Sequence, residues 1–65
     1  MINFVKCRDN VECITNYGLN ELTNVLKMGF KVVDSITWNP IKKLGSEDEI
    51  REQFENGEID FIREV

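Results

Sequence analysis

Apolar side chains recur at helical spacing in the middle of the chain. They are Leu19, Leu22, Val25 and Leu26. Three of them are spaced i, i+3 and i+7, so they share one side of a helix. Gly29 follows the last turn, where glycine favours the left-handed conformation that ends a helix. The pattern predicts a helix over residues 19–28, entered from a loop over 15–18 that offers Thr15 or Asn16 as a cap.

After this glycine the pattern changes to strand-like alternation. The positions that share one side of an extended chain are Phe30, Val32, Ile36 and Trp38. Asp34 is the polar exception on that side. Pro40 cannot donate a hydrogen bond to a neighbouring strand. We therefore expect a strand over residues 30–38 that ends at Asn39-Pro40 and turns its Phe30 and Ile36 side towards the helix.

The start of the chain has the pattern of a β-hairpin. Residues 2–8 and 11–15 are rich in β-forming side chains. The Asp-Asn dipeptide at positions 9–10 tolerates left-handed backbone and therefore favours a turn. The hairpin supplies the first two strands of the expected sheet.

The two cysteines, Cys7 and Cys13, lie on opposite arms of this hairpin. A three-residue loop would place Cys7 opposite Cys13, whereas a two-residue loop would place it opposite Glu12. The sequence leaves this register open. We expect two buried or half-buried thiols in a reducing compartment, while an oxidising setting would allow a disulfide.

The last third of the chain opens with a helix start signal. Ser46 followed by Glu49 has the spacing of a capping box, in which the serine side chain accepts a bond from the backbone three residues on. The predicted helix continues to about Asn56 and ends at Gly57. Ile50 and Phe54 form its narrow apolar stripe. Its acidic first turn suits the positive end of the helix dipole.

Residues 58–65 alternate again and predict a final strand. Ile59, Phe61 and Val65 fall on one side of it. A helical continuation is the alternative. Together the elements predict an α+β fold, a small two-layer domain of order ββαβα with a C-terminal strand. The 65 residues form one domain, residues 1–65, whose thin core leads us to expect a homodimer.

Charge adds an asymmetry that the apolar pattern does not show. Six cations and four acids in residues 1–45 give +2, and two cations and eight acids in residues 46–65 give −6. The positions expected to contact a basic protein partner are Glu47, Glu49, Glu52, Glu55, Glu58 and Asp60. The alternative is a solvated helix face followed by an edge strand whose charge prevents aggregation.

Two aromatic residues join these acids as candidate contacts. Tyr17 falls in the loop before the first helix, and Trp38 falls at the end of the predicted strand. Tyrosine and tryptophan are enriched at the energetically dominant positions of protein interfaces. For Trp38, packing over the core is the alternative.

The sequence offers little to a catalytic or metal site. Histidine, the commonest general base and metal ligand, does not occur. Cys7 and Cys13 lack the second pair of ligands that a structural zinc needs. Asp34 is the one carboxylate that interrupts an apolar strand face, and we interpret it as an edge or end position reached by solvent, or as a partner for Lys31 or Lys6. We expect no enzyme activity and no cofactor.

Other partners are also disfavoured. Lys42 and Lys43 beside Trp38 are the one basic and aromatic grouping, and the net charge of −4 opposes direct nucleic-acid binding. No apolar run approaches the roughly 18 residues of a membrane span. The first residues lack the basic start and apolar run of a signal peptide. We therefore expect a cytoplasmic protein with no membrane partner.

Residues 20–33 resemble the helix, glycine, aromatic and strand unit of small phage or prophage proteins of low-GC Gram-positive bacteria. The chain as a whole resembles them in being short, acidic, without histidine and rich in Asn, Ile, Lys and Glu. The resemblance implies an accessory role directed at the host, as inhibitors and decoys have. It assigns no functional residue, because folding accounts for that segment.

These observations lead to a ranked set of functions. We expect a non-catalytic protein-interaction domain, an accessory protein or inhibitor that acts on a host protein through its acidic face. One alternative is a structural module that assembles homo-oligomers by sheet-edge pairing. Another is a decoy that imitates the charge of nucleic acid. An enzyme built on Cys7 or Asp34 is the remaining alternative.

Overall fold

The computed structural model describes residues 2–18 and 21–65, and it confirms the predicted α+β architecture. The elements are β1 (Asn3–Arg8), β2 (Val11–Asn16), α1 (Leu22–Lys27), β3 (Lys31–Asp34), α2 (Glu47–Glu55) and β4 (Ile59–Glu64). The four strands form one antiparallel sheet in the order β1-β2-β4-β3. The C-terminal strand therefore lies inside the sheet, which leaves β1 and β3 at its edges.

The core lies between one face of this sheet and the two helices. The sheet contributes Ile14, Val32, Ile59 and Phe61 to it. Val25 of α1 and Ile50 of α2 pack on these residues and are 0% and 1% exposed. The alternation of β4 explains the arrangement, because Ile59 and Phe61 share a side of the strand as predicted.

The hairpin of β1 and β2 is confirmed, but its register matches neither expectation. The turn is two residues long, with Asn10 at φ 64°, and Arg8 pairs with Val11. A register shift then makes Cys7 an extra residue, so that Lys6 rather than Cys7 lies opposite Glu12.

The bulge brings the two cysteines together. Cys7 and Cys13 form a disulfide, with their Cα atoms 5.8 Å apart. Cys7 is exposed and Cys13 is half-buried. Of the two alternatives that the sequence left open, the structure has the disulfide and not two free thiols, because the bulged residue turns its side chain towards Cys13.

The first helix is shorter than predicted. It covers Leu22–Lys27 instead of 19–28, and Thr15 and Asn16 belong to β2 instead of capping it. The predicted first positions, residues 19 and 20, lie outside the described residues. Gly29 ends the helix as predicted, with φ 94°. A Cβ at that position would also lie 3.3 Å from Cδ of Arg63, so both the backbone conformation and the limited space favour glycine.

The predicted strand over residues 30–38 stops at Asp34. The Asp34 carboxylate accepts bonds from the backbone N–H groups of Ile36 and Thr37, at 2.8 and 3.0 Å. These bonds bend the chain into a turn, so Ile36 is 89% exposed instead of facing the helix. The expected placement of Ile36 and Trp38 on the core face is therefore wrong.

The second helix agrees with its prediction. It spans Glu47–Glu55, and Ser46 Oγ accepts a bond from the Glu49 N–H at 3.3 Å. Ile50 is buried, Phe54 is half-buried, and Gly57 follows with φ 77°. The strand β4 forms as expected, except that Val65 is 80% exposed beyond its end instead of sharing the buried side.

Candidate functional site

The exposed side of α2 carries three of the predicted contacts, Glu49, Glu52 and Glu55. Asp48 lies on the same side, and all four residues are exposed. We call this group the acidic ridge. Residues 48, 52 and 55 are spaced i, i+4 and i+7, which places them opposite the inward stripe of Ile50 and Phe54. Asp48 was not among the predicted contacts, although the same helical spacing identifies it.

Glu47 lies at the start of α2 but binds the backbone of α1. Its Oε1 accepts a bond from the backbone N–H of Leu22 at 2.9 Å. This N–H begins α1, whose own cap residue Glu21 makes no side-chain capping bond. The carboxylate of one helix therefore caps the other, and it fixes α2 against α1.

The remaining two predicted acids leave the ridge. Glu58 is exposed after the end of α2, and its carbonyl accepts a bond from the Ser35 N–H at 3.2 Å. Asp60 pairs with Val33 across β3 and β4, on the sheet face opposite the buried Ile59 and Phe61. The sheet separates Asp60 from α2, so the predicted single acidic face does not include it.

Tyr17 lies in the core instead of an exposed loop. It is 1% exposed, and its ring contacts those of Phe54 and Phe61 at centroid distances of 5.7 Å each. The Arg51 guanidinium stacks on the ring at 4.4 Å. Burial raises the pKa of the Tyr17 hydroxyl, and the adjacent Arg51 partly opposes that rise. A buried ring of this kind is part of the fold and not a surface contact.

Trp38 covers the sheet face that the helices leave open. It has left-handed backbone, φ 60°, which costs a bulky residue roughly 1–3 kcal/mol. Its N–H donates to the Asp34 carbonyl at 2.9 Å, and Arg8 stacks on its ring at 4.0 Å. The half-buried indole lines one groove with Val33 and Ile62. Val33 faces away from the helices, yet only 1% of its surface is exposed. Packing on this face of the sheet therefore explains why the Trp38 side chain is half-buried.

Asp34, the one carboxylate singled out for chemistry, serves the turn. The bonds from Thr37 and Ile36 favour its ionised form and lower the pKa of the carboxyl. It also lines an open cleft of about 440 Å³ together with Glu49 and Lys43. In this position Asp34 fixes the backbone geometry of the turn, a role that the sequence did not predict.

The sequence did not identify the role of Arg63. Its Nε and Nη2 donate to Glu12 Oε1 at 3.1 and 2.7 Å, and its Nη1 donates to the Met28 carbonyl at 2.8 Å. The guanidinium also stacks on Phe30 at 4.4 Å and on Phe4 at 5.0 Å. The one available signal was an arginine that broke the alternation of the final strand, and it did not specify any partner.

Within residues 2–18 and 21–65, no three Cys, Asp or Glu side chains come together as metal ligands would. None of the described helices has the length and apolar character to cross a bilayer. No protein family, curated protein or solved structure matches this chain.

Proposed function

We propose that the chain is a non-catalytic protein-interaction module that binds a basic surface of another protein through the acidic ridge. The observation that carries the proposal is an arrangement of charge that folding does not require. Asp48 and Glu52 form a like-charge i, i+4 pair, which costs a helix about 0.2–0.5 kcal/mol. Glu55 lies in the last turn, where negative charge opposes the helix dipole.

The two arginines of residues 46–65 add to this asymmetry through the contacts that they make. Arg51 stacks on Tyr17 and donates from Nη1 to the Gly18 carbonyl at 3.0 Å. Arg63 is engaged with Glu12 at the other end of β4. Both arginines of residues 46–65 thus turn inward, and the ridge keeps its negative field on the solvent side.

The ridge is also rigidly presented. Ser46 caps the start of α2, Ile50 anchors it in the core, and Glu47 ties it to α1. A preformed surface loses little conformational entropy on binding. Charge complementarity of this kind mainly raises association rates and selects partners, so binding should weaken as salt is added. The resemblance to phage-type proteins adds the expectation that the partner belongs to a host cell.

The test is affinity capture from a lysate with Glu52→Lys/Glu55→Lys and with a matched control, Asp9→Lys/Glu64→Lys. Each reversal adds two charges, so either double variant takes the net charge from −4 to zero. All four positions are exposed, and the control pair lies off the ridge. We expect the wild type and the control to retain the same basic protein, and the ridge variant to lose it.

Equal retention by both double variants would refute the ridge as the binding surface. Competition by duplex DNA separates two kinds of partner. A partner released by DNA would be one whose nucleic-acid site the ridge occupies, as expected of a decoy. A partner indifferent to DNA would be bound on another basic surface.

A further inference from the structure

One edge of the sheet is closed by the chain itself. The Asp34 N–H donates to the Asn39 carbonyl, and the Ile41 N–H donates to the Val32 carbonyl, both at 3.0 Å. Pro40 lies between these bonds, opposite Val33, and has no N–H to offer outward. The outward carbonyls of Val32 and Asp34 and the outward N–H of Asp34 are therefore bonded within the chain, and proline blocks a further strand from extending the sheet there.

The opposite edge is β1, and all six of its residues are exposed. Phe4 and Val5 leave 39% and 52% of their surfaces accessible. Register shifts lie at both ends of the strand, and Phe4, Val5 and Lys6 form the regular stretch between them. Along this stretch, the backbone groups that do not face β2 point away from the sheet, where another strand can bind them.

We propose that β1 is a dimerisation surface, on which β1 of a second copy pairs antiparallel and joins two four-stranded sheets into one. The closed β3 edge determines the geometry of this contact. Because β3 cannot accept a strand, β1 of one copy must meet β1 of the other. A contact between identical surfaces has two-fold symmetry and closes at two copies instead of growing into a fibre.

Charge favours a few registers of this pairing. Two-fold antiparallel pairing places residues of the same sheet face opposite each other, so the contact centres on one residue that faces its own copy: Phe4, Val5 or Lys6. Centring on Lys6 brings two lysines directly opposite each other at a cost, whereas centring on Phe4 or on Val5 does not. The side chains of Phe4 and Val5 point to opposite faces of the joined sheet, and each gains a cross-strand neighbour that covers part of its exposed surface.

The test is sedimentation equilibrium of the full, disulfide-bonded chain from micromolar to millimolar concentration, with Val5→Lys and a control, Ile36→Lys. Val5→Lys places two lysines directly opposite each other when the pair centres on Val5, and it removes an apolar side chain next to the centre when the pair centres on Phe4, so it weakens the pair in both registers. Ile36 is 89% exposed in the turn after β3, so the control makes the same exchange away from β1. We expect a concentration-dependent dimer whose dissociation constant rises about 2- to 30-fold in Val5→Lys and is unchanged in Ile36→Lys.

Val5→Glu distinguishes the registers. Alone it should weaken a dimer centred on Val5, because two glutamates then face each other. Mixed with Val5→Lys it should pair more tightly than either variant alone in that register, because the facing residues then carry opposite charges, whereas a dimer centred on Phe4 should show no such gain. A dissociation constant that neither substitution changes would overturn the proposal, since the two copies would then meet elsewhere.

Amide hydrogen exchange of the wild type tests the same surface without a substitution. Amides of β1 that point away from β2 should gain protection as the concentration rises. A chain that stays monomeric at millimolar concentration, with no change in β1 exchange, would overturn the proposal. The acidic ridge lies on α2, away from this edge, so loss of dimerisation and loss of partner capture can be observed separately.

Discussion

At the scale of single residues, arginine and aromatic side chains combine repeatedly. All three arginines stack on a ring: Arg8 on Trp38 at 4.0 Å, Arg51 on Tyr17 at 4.4 Å and Arg63 on Phe30 at 4.4 Å. Such contacts contribute about 0.5–2 kcal/mol, more when water is excluded. The arginines belong to β1, α2 and β4, and each ring lies outside the element of its arginine. These contacts therefore connect parts of the chain that are distant in sequence.

Tyr17 provides a test at this scale because it is the single tyrosine of the chain. Burial raises the pKa of its hydroxyl above the ordinary 10.0. An absorbance titration of the folded chain should therefore have its midpoint above that of the chain in urea. The folded state holds the proton more tightly. The contribution of Tyr17 to stability is therefore fully present below pH 10.0 and is lost as pH rises through the folded pKa. Identical midpoints in the two states would contradict the burial of Tyr17.

At the scale of elements, the sequence correctly predicted the features that depend on hydrogen bonds between near neighbours in the chain. The Ser46 cap and the glycines at 29 and 57 were correct, because each acts through the backbone of its nearest neighbours. The strand over 30–38 was too long because Asp34 used its side chain to bend the backbone. Alternation cannot distinguish a strand residue from one that stops a strand. The bulge at Cys7 escaped prediction for a similar reason.

The disulfide makes the hairpin testable as an element. It closes a short loop, with a sequence separation of six, between Cys7 and Cys13. Constraint of so short a loop in the unfolded chain contributes about 2 kcal/mol. Urea unfolding should show Cys7→Ser/Cys13→Ser less stable than the oxidised wild type by this amount, and equal to the reduced wild type. A reductant should leave the double variant unchanged. Two free thiols in the air-oxidised chain by mass spectrometry would contradict the pairing.

At the scale of the whole molecule, the sheet divides the surface into three parts: the face covered by the helices, the opposite face and the open edge. The helices cover one face, and α2 carries the acidic ridge on its outer side. Trp38 and Arg8 cover part of the other face. β1 occupies the open edge. This separation distributes the predicted contacts: α2 keeps Glu49, Glu52 and Glu55, while Tyr17 enters the core and Asp60 moves behind the sheet.

Arg63 offers a test at the same scale, because it connects β4 with β2 and with the end of α1. Its side chain and that of Glu12 are 25% and 21% exposed, so their bonds are partly shielded from water. Arg63→Lys keeps the charge but loses the planar fork, and it should lower the free energy of unfolding by about 1–3 kcal/mol. Glu12→Gln should cost less, because the amide oxygen still accepts a bond. In urea unfolding, the two changes together should cost less than their sum, and strict additivity would contradict the pairing.

The sequence by itself determined the kind and order of the elements, the ends of both helices on their C-terminal side and the apolar side of β4. These features depend on periodicity and on bonds within a few residues, which the chain carries locally. Tertiary structure decided the sheet order, the disulfide, the inward turn of Arg51 and Arg63, and the division of the acids among three locations. Each depends on which distant backbone or ring lies within reach, and spacing along a single chain does not specify that distance.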